Sequence, residues 1–170
     1  MPDDGKRREL IDGDVFVTPA PVPWHQTISR RLQLALMKAL EEPGLAEIYN
    51  APVDVIFDPV NVVEPDLVIV GAQHAHIVTA RAIEGVPDVV VEILSPGTAE
   101  RDRYWKRQLY ERFGVPEYWI VSPDPAGIEA HALAAGGYVE RARYDRASTL
   151  VCPLFPTLAI PLEPVFRARV

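Results

Sequence analysis

With one cysteine, Cys152, the chain has no intrachain disulfide and no cysteine-based metal cage. No apolar run approaches the ~20 residues needed to cross a bilayer. The start, Met1-Pro-Asp-Asp-Gly-Lys-Arg-Arg8, lacks the apolar stretch of a secretory signal, so a cytoplasmic protein without a membrane segment is expected. Basic residues are in deficit, 17 against 24 acids, for a net charge of -7. That argues against a protein that coats nucleic acid through a basic surface. It leaves room for an enzyme acting on nucleic acid, because a metal site itself consumes acids. Aromatic residues make up 8%, few for the groove of a glycosidase working through two carboxylates. There is no phosphate-cradling Gly-x-x-x-x-Gly-Lys loop and no dinucleotide fingerprint. Leu94-Ser95-Pro96 lacks the flanking glycines of a hydrolase nucleophile elbow. His74 and His76 have no evident third partner for zinc.

The chain does contain two short apolar segments, each interrupted by one carboxylate. They are Val62-Val63-Glu64-Pro65-Asp66 running into Leu67–Val70, and Pro87-Asp88 running through Glu92 to Leu94. Stripping an ionised acid of water costs on the order of several kcal/mol unless a cation or hydrogen bonds answer it. Asp66 opens its strand and Glu92 lies late in its own, so antiparallel pairing would bring the two together. Hard carboxylate oxygens without cysteine or a histidine cluster favour Mg2+ or Mn2+ over zinc. Without a metal the two acids would repel, so neutralising either should leave stability unchanged or raise it. Asp102, Lys106 and Tyr110 recur at intervals of four, along one face of the next helix. Two acids and a lysine beside a divalent ion are the equipment of phosphodiester hydrolysis.

At 170 residues with 48% hydrophobic content, the chain suits one domain, residues 1–170, of mixed-sheet α/β class with two main helices. Asp12-Gly13 marks an N-terminal hairpin. Pro19, Pro21 and Pro23 enforce an extended connector before an amphipathic helix from Trp24 to Glu42. Ala46 to Phe57 reads as one strand bent at Pro52. Thr98 is a plausible cap for a helix running to Arg112. Glu117–Val121 is a strand, and Gly127–Leu133 with Gly137–Arg143 forms a hairpin. The proline-rich tail from Leu150 is expected to be irregular and held by packing. His25 falls on the inward face of the first helix, where a hydrogen-bonded core histidine is the simpler reading. Arg101, Arg103 and Arg107 are either a solvated helix face or a phosphate-contacting patch. Trp105, Tyr110, Tyr118 and Trp119 read as core by default.

These pieces together resemble a known family. Glu9-Leu-Ile-Asp-Gly13, Thr18-Pro-Ala-Pro21, His25-Gln26, Glu64-Pro-Asp66, Val91-Glu-Ile-Leu-Ser-Pro96, Asp102 with Lys106 and Tyr110, and Gly114-Val-Pro-Glu-Tyr-Trp119 look like the Uma-two family of restriction-endonuclease-like proteins. That family sits in the PD-(D/E)XK nuclease superfamily. The resemblance implies a restriction-endonuclease-like core and metal-dependent cleavage of nucleic acid, with DNA as the expected substrate and a dimer as the expected assembly. By it, Asp66, Glu92 and the backbone carbonyl of Ile93 would hold Mg2+ or Mn2+. Asp66, Glu92 and Lys106 would be catalytic. Asp102, Tyr110 and His25 would support them, and Arg101, Arg103 and Arg107 would meet the nucleic acid. One departure matters: the usual lysine lies two residues after the second acid, where this chain has Leu94, so Lys106 on the following helix would replace it. The competing expectation is a degenerate nuclease fold acting as a non-catalytic binding module.

Overall fold

The computed structural model describes residues 7–168. Strands β1 (Arg7–Ile11) and β2 (Asp14–Thr18) form the N-terminal hairpin, whose Asp12 and Gly13 both have positive φ, 52° and 85°. That geometry is the tight mirror-image turn that Asp-Gly supplies at low steric cost. After the proline connector comes α1 (Pro23–Leu36), which continues as a π-helical stretch, Met37–Glu41. Proline at its first turn loses no hydrogen bond the helix could have made. Ile28, Leu32, Leu36 and Leu40 are fully buried along one stripe.

The expected single strand from Ala46 to Phe57 is instead two, in different sheets: β3 (Ala46–Asn50) and β4 (Val55–Asp58). Pro52 has no N–H for a ladder, so the chain leaves one sheet there and enters another. Next come β5 (Asn61–Val63), β6 (Leu67–Gly71), a 3-10 turn at Ala72–Ile77, β7 (Ile83–Glu84) and β8 (Val89–Ile93). A π-helical stretch, Arg101–Lys106, leads into α2 (Arg107–Phe113), closed by Gly114 in the left-handed conformation at φ 81°. Glycine adopts that conformation freely at a helix end. Strands β9 (Glu117–Pro123), β10 (Ala126–Ala134) and β11 (Gly137–Asp145) follow.

The tail is regular, which corrects the expectation of packed but irregular chain. It forms β12 (Thr149–Cys152), β13 (Phe155–Pro161) and a turn of helix, α3 (Glu163–Phe166). Its prolines are placed where they do no harm. Pro156 and Pro161 sit in a two-stranded ribbon, and Pro164 lies in the first helical turn. Leu158, Ile160, Leu162, Val165 and Phe166 close over the α1 side of the core.

Six strands in the order β11-β10-β9-β8-β6-β3 make the main sheet, antiparallel except for the central parallel pair β8–β9. Five more, β2-β1-β5-β4-β7, make a second sheet. Side chains alternate across a strand, and here the alternation assigns each face its own core. Leu67, Ile69, Val89, Val91, Trp119 and Val121 pack with α1 and the tail. Val68, Val70, Val90, Tyr118 and Ile120 pack with α2 and the second sheet. Asp66 shares the parity of Val68, and Glu92 that of Val90. Both acids therefore belong to the α2 face. The register Leu67↔Val91 and Val68↔Val90, continued by one step, sets Asp66 opposite Glu92.

If the tail is integral to the core, Phe166→Ala should cost about 3–5 kcal/mol, the usual penalty for emptying a buried aromatic site. Leu154→Ala, at an exposed position in the same tail, should cost within about 0.5 kcal/mol. Urea denaturation of both variants checks this; equal small losses would show a tail that packs loosely.

Candidate active site

The α2 face of the main sheet carries a dense group of buried charges. Glu9, Asp66, Glu92, Asp102 and Lys106 are each at most 6% exposed. Lys106 is the hub. Its Nζ donates to Glu92 Oε1 at 2.7 Å and lies 2.6 Å from Glu9 Oε1, with Asp102 Oδ1 at 3.8 Å. Tyr110 donates its hydroxyl to the same Glu92 oxygen at 2.8 Å. The helical spacing read from sequence thus holds, although Asp102 and Lys106 sit on a π-helical rather than an α-helical turn. Single π-helical turns recur at functional sites because they redirect a side chain without ending the helix.

Asp66 has a separate set of partners. Its Oδ2 accepts from the backbone N–H of Ile93 at 2.8 Å and faces His25 Nε2 at 3.1 Å, while Arg7 reaches Oδ1 at 3.3 Å. His25 is therefore a hydrogen-bonded buried histidine that also touches the site. Arg7 is braced by Glu64, and Arg101 by Thr18 Oγ1 at 2.9 Å with Glu9 Oε2 at 3.5 Å. Of these residues, Arg7, Thr18, His25, Asp66, Glu92, Ile93, Arg101, Asp102 and Lys106 line a small cleft of about 20 Å³, room for a single water-sized species.

The electrostatics follow from burial set against these partners. Burial drives the Glu92 carboxyl up to about 8 against the pull of Lys106, and the charges of Asp102, Asp66 and Glu9 add to the rise. Burial also raises Asp102, more than Lys106 and the Thr98 hydroxyl lower it. Asp66 moves the other way. Burial opposes its charge, but His25, Arg7 and the Ile93 N–H outweigh it and hold the carboxyl below its usual range. Glu9 is likewise lowered, its burial outweighed by Lys106, the Glu64 N–H and Arg101. Lys106 is raised, because Glu92, Glu9 and Asp102 outweigh its desolvation.

Arg7 and Glu9 were not singled out as site residues from sequence. The signal for Glu9 was present: it alternates with Ile11 on the inward face of β1, an acid where an apolar residue belongs. Arg7, two residues earlier, shares that face. The arginines offered as nucleic-acid contacts are tied to the protein. Arg103 forms a fork on Glu129 at 2.8 and 2.9 Å, and Arg107 donates to the Tyr138 carbonyl at 2.8 Å. Tyr110, Tyr118 and Trp119 are core, as expected. Trp105 departs from that default: it and Tyr104 are 55% and 63% exposed on the segment that carries Lys106.

The donor set suits a hard divalent cation. Carboxylates of Asp66 and Glu92 share one face, Ile93 lines the same cleft, and the buried Asp102 Oδ1 has no hydrogen-bond partner. A group on β10 and β11 is capable of coordinating a divalent metal. Glu129, His131 and Glu140 bring ligand atoms within 4.8 Å of one another. It lies outside the residues that line the cleft.

The topology and its two principal helices define a restriction-endonuclease-like fold. The chain belongs to the Uma2 family, described as "Putative restriction endonuclease", whose model matches residues 1–163. A solved structure from Anabaena variabilis ATCC 29413, titled as a putative nuclease belonging to DUF820, is similar throughout. It shows a TM-score of 0.80 at 17% identity, covering 98% of this chain and 93% of that one. No curated protein matches the chain.

The two acids of the sequence reading should now behave differently on neutralisation. Glu92→Gln mimics the protonated carboxyl that burial favours, so metal-free stability at neutral pH should change little or rise. Asp66→Asn removes a charge that His25, Arg7 and a backbone N–H all stabilise, and should cost about 1.5–3 kcal/mol. Because Glu92 is raised in the fold, its contribution is fully present below about pH 4.5 and is lost as pH climbs through about 8. Wild-type stability in chelator should therefore decline across that window, and Glu92→Gln should flatten the decline. A steeper decline in the variant would contradict the assignment.

Proposed function

We propose that this protein is a divalent-metal-dependent phosphodiester hydrolase acting on nucleic acid. The observation that carries the reading is the juxtaposition of Asp66 and Glu92 on one buried sheet face, with Lys106 Nζ 2.7 Å from Glu92. Family membership supports it. DNA is the substrate we favour, cut in the cytoplasm by one domain spanning the chain and working as a dimer.

Asp66, Glu92 and the Ile93 carbonyl would hold Mg2+ or Mn2+, which when bound acidifies a coordinated water and polarises the scissile phosphate. The protein's own groups do the rest. Arg7, His25 and the Ile93 N–H keep Asp66 ionised and fix its orientation. Tyr110 positions Glu92. Glu9 gives Lys106 a second anchor, so the ammonium stays at the site when the charge of Glu92 is engaged elsewhere. Lys106 then orients the attacking water or offsets charge developing on the phosphorane. The exposed rings of Tyr104 and Trp105, on the segment that carries Lys106, offer stacking faces, which suits a chain whose net charge of -7 gives little general attraction for nucleic acid.

One observation favours the second reading, a metal-free binding module: Lys106 already answers Glu9 and Glu92 without any cation. The two readings separate in a cleavage assay on supercoiled, linear and single-stranded DNA with Mg2+ or Mn2+. The hydrolase reading expects metal-dependent cutting by wild type and a thermal shift with Mn2+ that Asp66→Ala abolishes. Lys106→Ala should keep most of the shift yet lose cleavage by about 100-fold or more, the scale of removing a transition-state donor. Arg103→Ala and Arg107→Ala should weaken DNA binding modestly and in a salt-dependent way. No cutting and no thermal shift in wild type would leave the binding module standing.

A further inference from the structure

Among the described residues, His131 is the buried side chain with two polar atoms left without a hydrogen-bond partner. It is 8% exposed, and both ring nitrogens are shielded from solvent without a hydrogen-bond partner. A buried imidazole normally has at least one partner. The ring lies edge-on to Tyr138 and roughly parallel to Tyr118, with centroids 6.4 Å away in each case. Neither hydroxyl serves it: Tyr118 donates to the Asp102 carbonyl and Tyr138 to the Val115 carbonyl. What the ring does have is two acids, Glu129 and Glu140, with Glu129 Oε2 3.8 Å from Nε2.

A β-bulge assembles this trio. On β10, Glu129 and His131 point to the same face, and Glu129 is paired with Arg143 on β11. Regular alternation would set Arg141 opposite His131. The register instead slips between Ala130 and His131, so that His131 meets Glu140. Arg141 is released to the other face, where it grips Glu117 at 2.7 and 3.0 Å. The slip exchanges a cation for a carboxylate beside the imidazole, and bulges recur where a side chain must be re-aimed.

We propose that Glu129, His131 and Glu140 form a second cation site, separate from the cleft and selective for a late first-row divalent ion such as Zn2+ over Mg2+. One imidazole with two carboxylates is a donor set that zinc accepts, whereas Mg2+ prefers oxygen ligands and retains its waters. Arg103 and Arg143 are the competitors. Arg103 forks on Glu129, and Arg143 bridges Glu129 at 3.3 Å and Glu140 at 2.6 Å. An arriving ion displaces Arg143, whose side chain is 62% exposed and free to swing into solvent.

The test uses the full chain carrying Asp66→Asn and Glu92→Gln, which silences the cleft. Titration calorimetry with Zn2+ should then report one site, and Mg2+ should give no comparable signal. Adding Glu140→Gln, at an exposed position that cannot unfold the protein, should weaken zinc about tenfold or more. His131→Gln should do the same, and Arg143→Ala should tighten binding by removing the competing cation. Zinc affinity unchanged by Glu140→Gln, weakened by Arg143→Ala, or absent from the cleft-silenced protein overturns the proposal. DNA cleavage is not read in this experiment, so its result is independent of the function proposed for Asp66 and Glu92.

Discussion

The buried ammonium of Lys106 is the interaction on which the α2 face depends. Strand register places Glu92 among apolar side chains, and β1 brings Glu9 to the same place. Neither acid could stay ionised there uncompensated, since an isolated buried charge costs several kcal/mol. Lys106 answers both at hydrogen-bonding distance. Asp102 and Lys106 are buried on the π-helical stretch Arg101–Lys106, while Tyr104 and Trp105 stay exposed. The same segment therefore supplies the internal cation and two exposed aromatic rings.

Asp66 stands on different terms. It shares the sheet face with Glu92 but draws on His25 from α1, Arg7 from β1 and the Ile93 N–H. The two acids are thus held in opposite protonation tendencies at facing register positions, one raised by burial and one lowered by its partners. Separation of that kind within one cleft is a common property of sites that handle protons or metal ions. The expectation that the pair would simply repel misses it, because that expectation counted only the two carboxylates.

Much of the site was legible because strand alternation is a strict code. Once Leu67–Gly71 and Val89–Ile93 are read as antiparallel neighbours, the parity of Asp66 and Glu92 follows without coordinates. Lys106 was legible through its spacing from Asp102 and Tyr110. Arg7 and Glu9 were harder. A hairpin motif explains Asp12-Gly13 so well that the inward acid two residues before Ile11 draws no notice, and its partner lies 97 positions away in sequence. The division of Ala46–Phe57 between two sheets and the ordering of the tail were illegible for a related reason. Proline excludes ladder hydrogen bonds locally, yet only tertiary packing decides whether the chain turns, changes sheet or runs along an edge. The trio around His131 depends on a one-residue register slip, which side-chain pattern alone does not reveal.

The central claim is that the acids of the cleft exist to hold a metal ion. Anomalous diffraction at the manganese edge from a crystal soaked in Mn2+ tests it most directly. The account predicts a strong peak between Asp66 and Glu92, with Lys106 still anchored on Glu9. Absence of manganese from the cleft, with Lys106 unmoved between Glu9 and Glu92 and any peak confined to other residues, would contradict it.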